Sequence, residues 1–192
     1  MVVFVPYGPS QERGAASINS LVTGDLWFCR VLFWPDEFLF HARDARDHAY
    51  GCKTATLEII ALIIPLLSVP HKFVGKKALF LTDNISVVYG WDSKKITNDV
   101  TASIFIRAIH LISFYLGCFI QIEHLPRNST PSAVLADSLT RKSTTTEKIL
   151  QTVRKAISYD IPEVLTKWIG NPTEDWAYAQ KLLEHVQQLV PT

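Results

Sequence analysis

The chain has 192 residues and a mass of 21.7 kDa, enough to bury a substantial core and suited to one domain with an appended subdomain. Apolar residues make up 48% and charged residues 19%, with ten Phe, five Trp and six Tyr, which excludes a disordered tail. The net charge of +1 excludes a globally basic coat, so affinity for a polyanion has to come from a local arrangement of Lys and Arg.

In chain order, Val2 to Val5, Gly14 to Ser20 and Leu26 to Phe33 read as three antiparallel strands, rich in β-branched and aromatic residues. Thr23-Gly24-Asp25 supplies turn chemistry between the second and third, and Trp34-Pro35-Asp36 ends the third. A polar connection over residues 40 to 53 follows. Thr54 then caps a helix so apolar, with Leu57, Ile60, Ala61 and Ile64 at helical spacing, that it must be buried; Pro65 is expected to kink or end it. Ala78 to Leu81 is a continuous apolar run of the kind found in a central strand covered on both faces. Asn84 to Trp91 predicts a short helix and Asp99 to Gly117 a longer one, with Ile104, Ala108, Leu111 and Tyr115 along one stripe. Phe119 to Glu123 alternates as a half-buried strand does.

From Lys142 the pattern turns to amphipathic helices. Thr144 and Glu147 make a capping box ahead of Ile149, Leu150, Val153 and Ile157, and Gly170-Asn171-Pro172 interrupts. A last helix spans Glu174 to Leu189 and presents Leu182, Val186 and Leu189. Residues 143–192 are therefore expected as a helical extension to a domain at 1–142.

Cys29, Cys52 and Cys118 are far apart and form no Cys-x-x-Cys pattern, so neither a disulfide framework nor a zinc site is expected. The setting that suits them is intracellular, in cytoplasm or nucleus. Leu57 to Val69 is too short to span a bilayer, and Ile104 to Ile122 carries Arg107 and His110, so no membrane partner is expected. No charged stretch followed by an apolar one is seen at the first residues, so a secretory signal is not expected.

Three acids fall where strand and helix ends can converge: Glu58 early in the apolar helix, Asp83 at a strand's exit and Asp137 after the last strand. A carboxylate flanked by Leu57, Ile59 and Ile60 needs a cation or a partner if it is buried, or else it is exposed near the helix N-terminus, where the macrodipole favours it. Asp83 equally suits an Asx turn, and Asp137 equally suits a solvent-facing helix position.

Together, TLEIIAL (56–62), LFLTDN (79–84) and HLPRNSTPSAVLADSLTR (124–141) resemble, in order and context, the ribonuclease H domains of retroelement reverse transcriptase polyproteins, most like those of DIRS-type and related retrotransposons. The resemblance spans Val2 to Arg141 and rests on the order of several weak motifs. It implies an α/β fold of ribonuclease H type, a mixed five-stranded sheet flanked by helices, and hydrolysis of the RNA strand of RNA-DNA hybrids. It implies Glu58, Asp83 and Asp137 as catalytic ligands of two Mg2+ or Mn2+ ions, one activating water and one stabilising the leaving oxygen. Lys94, Lys95, Arg127 and Arg141 stand as candidates for phosphate contacts, with Lys142 beside them, and a polymerase domain of the same polyprotein as partner.

Two departures from the family pattern are visible. The segment VFVPYGPS has no acid, and Tyr7 stands where the family has its first Asp, so a catalytically degenerate, structural or nucleic-acid-binding module is the alternative. In the closing motif His124 and Pro126 match, while Arg127 replaces a Gly and Ala133 an Asn. His124 suits a proton shuttle or a hydrogen-bonded loop anchor, and Trp91 a groove floor or a core residue.

Overall fold

The structure is a computed structural model that describes residues 2–5, 13–19, 26–33, 53–97, 99–126 and 162–191; for 2–5, 13–19, 26–33 and 53–54 it describes the backbone alone. The apolar run after Cys52 forms helix α1, Lys53–Ser68, beginning one residue before the Thr54 expected to cap it. Its side chains from Leu57 to Leu67 are withdrawn from water on every face.

Pro65 lies inside α1 instead of ending it. A proline removes one backbone donor and crowds the preceding turn, at about 3 kcal/mol in a helix interior. Leu62, Ile63, Leu66 and Leu67 around it are fully buried, each worth about 1.5–3 kcal/mol. Packing outweighs the lost bond, and the helix closes a turn later with Val69 N donating to the Pro65 carbonyl at 3.0 Å.

Strands β1 (Val2–Val5), β2 (Arg13–Asn19), β3 (Leu26–Phe33), β4 (Lys77–Thr82) and β5 (Phe119–His124) lie side by side in the order β3-β2-β1-β4-β5. β2 is antiparallel to both its neighbours, and β1, β4 and β5 run parallel. The chain is thus mixed α/β. Along β4, Ala78, Phe80 and Thr82 are buried while Leu79 and Leu81 are only half-buried, so this strand is not covered equally on both faces as its apolar run suggested. The half-covered face continues across β5 as Phe119, Gln121 and Glu123, all exposed; the covered face continues as Ile120 and Ile122.

Helix α2, Ile85–Ser93, is capped by Asn84, whose side chain accepts from Ser86 N. Gly90 lets it approach its neighbours, because a Cβ there would run into Ile96 and Ile106. Helix α3, Val100–Tyr115, is capped by Asp99 and ends at Gly117, which takes φ +57 while Cys118 N donates back to Ser113 O. α1 and α3 share one core with the covered face of β4 and β5.

Helices α4, Glu163–Gly170, and α5, Ala177–Leu189, belong to the same core. The Phe105 ring of α3 meets Trp168 edge-on at 5.0 Å and Tyr178 at 5.8 Å, and Trp168 stacks on Tyr178 at 5.5 Å. Their polar ends are matched: Trp168 Nε1 donates to Thr173 O and Tyr178 Oη to Val164 O. Tyr115 Oη donates to Val190 O, and His185 Nε2 lies 3.1 Å from Leu67 O. α5 begins three residues later than its pattern suggested, and Leu189 at its end is 51% exposed, one turn beyond the core-filling Leu182 and Val186.

Candidate active site at the strand exits

β1, β4 and β5 finish together: Val5 pairs with Thr82, and Thr82 with His124. The carboxyl edge of parallel strands is where open α/β sheets place their ligand sites, because the chain there leaves the sheet and side chains are freed from the ladder. Asp83 is the first residue past β4, half-buried, and His124 is exposed at the last position of β5.

Glu58 lies in the second turn of α1 and is 2% exposed, which decides between the two sequence readings in favour of the buried one. Thr82 Oγ1 donates to its Oε2 at 2.8 Å. Thr82 Oγ1 in turn accepts from Asn84 N at 3.1 Å, and the Thr82 carbonyl accepts from Leu125 N at 2.9 Å. Glu58 is thereby joined to the residue that precedes Asp83. A charged carboxylate in such a place costs several kcal/mol unless neighbouring groups or a cation compensate it.

A second buried polar pair stands on the same helix. Thr56 Oγ1 lies 2.9 Å from both carboxylate oxygens of Asp99, which also accepts from Ala102 N at 2.8 Å as the cap of α3. The bond fixes the first turns of α1 and α3 against each other. Neither Thr82 nor the Thr56–Asp99 pair was singled out from the sequence. Thr82 had a signal: it has the parity of Ala78 and Phe80, the buried face. Asp99 and Thr56 are 43 residues apart and had none.

Of the acids singled out from the sequence, Glu58 and Asp83 are brought to the exit of β4, while Asp137 lies outside the described residues. Tyr7, Arg127, Arg141 and Lys142 lie outside them too, as do Glu147 and the stripe expected from Ile149 to Ile157. Lys94 and Lys95 are exposed, but they follow the last turn of α2, about 13 Å of helix away from Asp83. Lys94 takes φ 62, a left-handed cap position that a glycine usually fills. Trp91 is half-buried and stacks on His110 of α3 at 3.8 Å with 6° between the rings. Burial holds the His110 imidazole below its ordinary pKa, partly opposed by the Trp91 carbonyl 3.4 Å away and reinforced by the Lys94 charge. Cys118 is a free buried thiol, pushed up to about 11 by burial.

Among the described residues no three His, Cys, Asp or Glu side chains stand close enough to hold a metal ion. Glu58 and Asp83 are two hard oxygen donors of the type that suits Mg2+ or Mn2+, and a buried carboxylate is a group such a cation compensates. Among the described residues no helix is long and apolar enough to cross a membrane. Comparison with protein-family models, with curated proteins and with solved structures gives no match.

Proposed function

We propose that this chain is a ribonuclease H-like module of a retroelement reverse transcriptase polyprotein, of the DIRS-type or a related kind, and that it hydrolyses the RNA strand of RNA-DNA hybrids. The observation that carries the reading is the burial of Glu58 on an apolar helix at the exit of β4, joined through Thr82 to the turn that holds Asp83. The common exit of three parallel strands adds support, since it gives acids at strand ends an edge at which to gather.

In this reading Glu58, Asp83 and Asp137 hold Mg2+ or Mn2+, which when bound supplies an activated water and charge stabilisation at the leaving oxygen. The chain's own part is to hold the carboxylates at one edge of the sheet. The exposed His124, in register with Thr82, stands at the same edge. Recognition of the hybrid rests on backbone shape and 2'-hydroxyls, with Arg127 and Arg141 near the closing motif as phosphate contacts. The partner is the polymerase domain of the same polyprotein, in cytoplasm or nucleus.

A second reading is favoured by one observation. VFVPYGPS offers no acid, and the phenol of Tyr7 is a poor ligand for a hard cation. The chain is then a degenerate module that binds nucleic acid or serves the polyprotein structurally. Incubating the purified protein with a hybrid labelled on its RNA strand, in Mg2+ and in Mn2+, separates the two. Cleavage by the unmodified chain, lost in Asp83→Asn, supports the nuclease. A folded protein that does not cleave, but gains Mn2+ binding on Tyr7→Asp, supports the degenerate module.

A further inference from the structure

We infer that Thr82 is a positioning residue whose single hydroxyl sets the relation between Glu58 and Asp83, an assignment that rests on the proposed metal-binding role of these two carboxylates. A threonine hydroxyl has one proton and rotates to suit its neighbours. Here the rotation is settled. Asn84 N can only donate, so it takes a lone pair of Thr82 Oγ1 at 3.1 Å, and the one proton is committed to Glu58 Oε2 at 2.8 Å. Thr82 is 1% exposed, so water is not at hand to replace either bond.

The bond from Asn84 N closes a turn across Asp83, and Asn84 is itself held as the cap of α2 by Ser86 N at 3.0 Å. The Thr82 carbonyl is held in turn by Leu125 N at 2.9 Å, where β5 leaves the sheet. Asp83 therefore sits between two residues fixed by the same oxygen that orients Glu58. β-Branching stiffens the Thr82 side chain about χ1 and adds to the hold. A strand end of Ala78-Leu79-Phe80-Leu81 needs no hydroxyl for packing, since valine has the same shape.

The test compares Thr82→Val, which keeps the shape and loses the hydroxyl, with Thr82→Ser, which keeps the hydroxyl and loses the methyl. Two readouts are taken on the full chain: Mn2+ affinity by titration with electron paramagnetic resonance of the free ion, and the side-chain carboxyl 13C resonance of Glu58 without metal, assigned by its absence in Glu58→Gln. Thr82→Val is expected to weaken Mn2+ about 10- to 100-fold and to move the Glu58 resonance, as loss of a bond behind a ligand does; Thr82→Ser is expected to retain both. An unmoved Glu58 resonance in Thr82→Val overturns the assignment, as does a loss in Thr82→Ser equal to that in Thr82→Val. If the unmodified chain binds no Mn2+, the nuclease reading falls by itself. The Glu58 resonance, shifted by Val and restored by Ser, still upholds the hold of Thr82 on Glu58.

Discussion

Glu58 and Trp168 are both withdrawn from water, at 2% and 5% exposure, yet the regions around them are held by different chemistry. At the junction of α3 with α4 and α5, three aromatic rings meet at their favoured edge-on and stacked separations, and each polar end has a backbone carbonyl. Burial there stabilises by itself. At the strand exits the buried group is a carboxylate, served by a threonine hydroxyl, in a helix that leucine or isoleucine would fill with less expense of desolvation. The contrast teaches that the first region is held by ring packing and the second by a polar bond between a helix and a strand end.

The difference can be pressed by substitution. Trp168→Ala is expected to cost about 3–5 kcal/mol in denaturant unfolding, through the lost rings and the cavity they leave. A cost under about 1 kcal/mol would mean that α4 and α5 add little to the core. Asp99→Ala removes a helix cap and the partner of the buried Thr56 hydroxyl, and is expected to cost about 1–3 kcal/mol by the same measurement. It marks the stabilising kind of buried polar group on α1. Glu58→Gln keeps the shape and an acceptor for Thr82, so it should cost less unfolding free energy than Asp99→Ala, while hybrid cleavage is lost. A large loss of stability in Glu58→Gln would erase the contrast and make Glu58 a structural residue like Asp99.

The smallest effect concerns pH. The folded His110 binds its proton less readily than the unfolded chain does, because burial disfavours the charged ring. Its contribution is therefore fully retained above the ordinary value of 6.5 and is lost as pH falls from there toward the lowered folded value, where only the unfolded state gains a proton. The fall of the thermal midpoint between pH 7 and pH 5 should be shallower in His110→Phe, which keeps a ring against Trp91. An identical slope would show that the stack does not resist protonation.

Local elements were the legible part of this chain. The alternation of Phe119 to Glu123 and the helical spacing of Ile104, Ala108, Leu111 and Tyr115 marked β5 and α3 to within a residue or two at each end, because period is a property of neighbouring residues. Of the two outcomes expected at Pro65, a kink or an end, the helix does not end there: the penalty is local, and the packing that offsets it comes from distant parts of the chain. That β1 lies parallel to β4 is not written in any periodicity, because the pairing joins residues more than seventy positions apart. At the site, Glu58 was legible as a charge out of keeping with its helix, and Asp83 as an acid at a strand exit. The Thr56–Asp99 pair was hidden by sequence distance, and Asp137 falls outside the described residues.

The pairing of Val2 with Leu79 and of Val5 with Thr82 has a kinetic side. During synthesis the first strand waits for nearly eighty later residues before its parallel neighbour exists, and closing so long a loop precedes any reward from the contact. Until then one edge of Val2–Val5 stays open to pairing with another chain. Nascent or truncated fragments that stop before β4 should therefore be the aggregation-prone forms of this protein, and refolding should be slow compared with a helical protein of equal length.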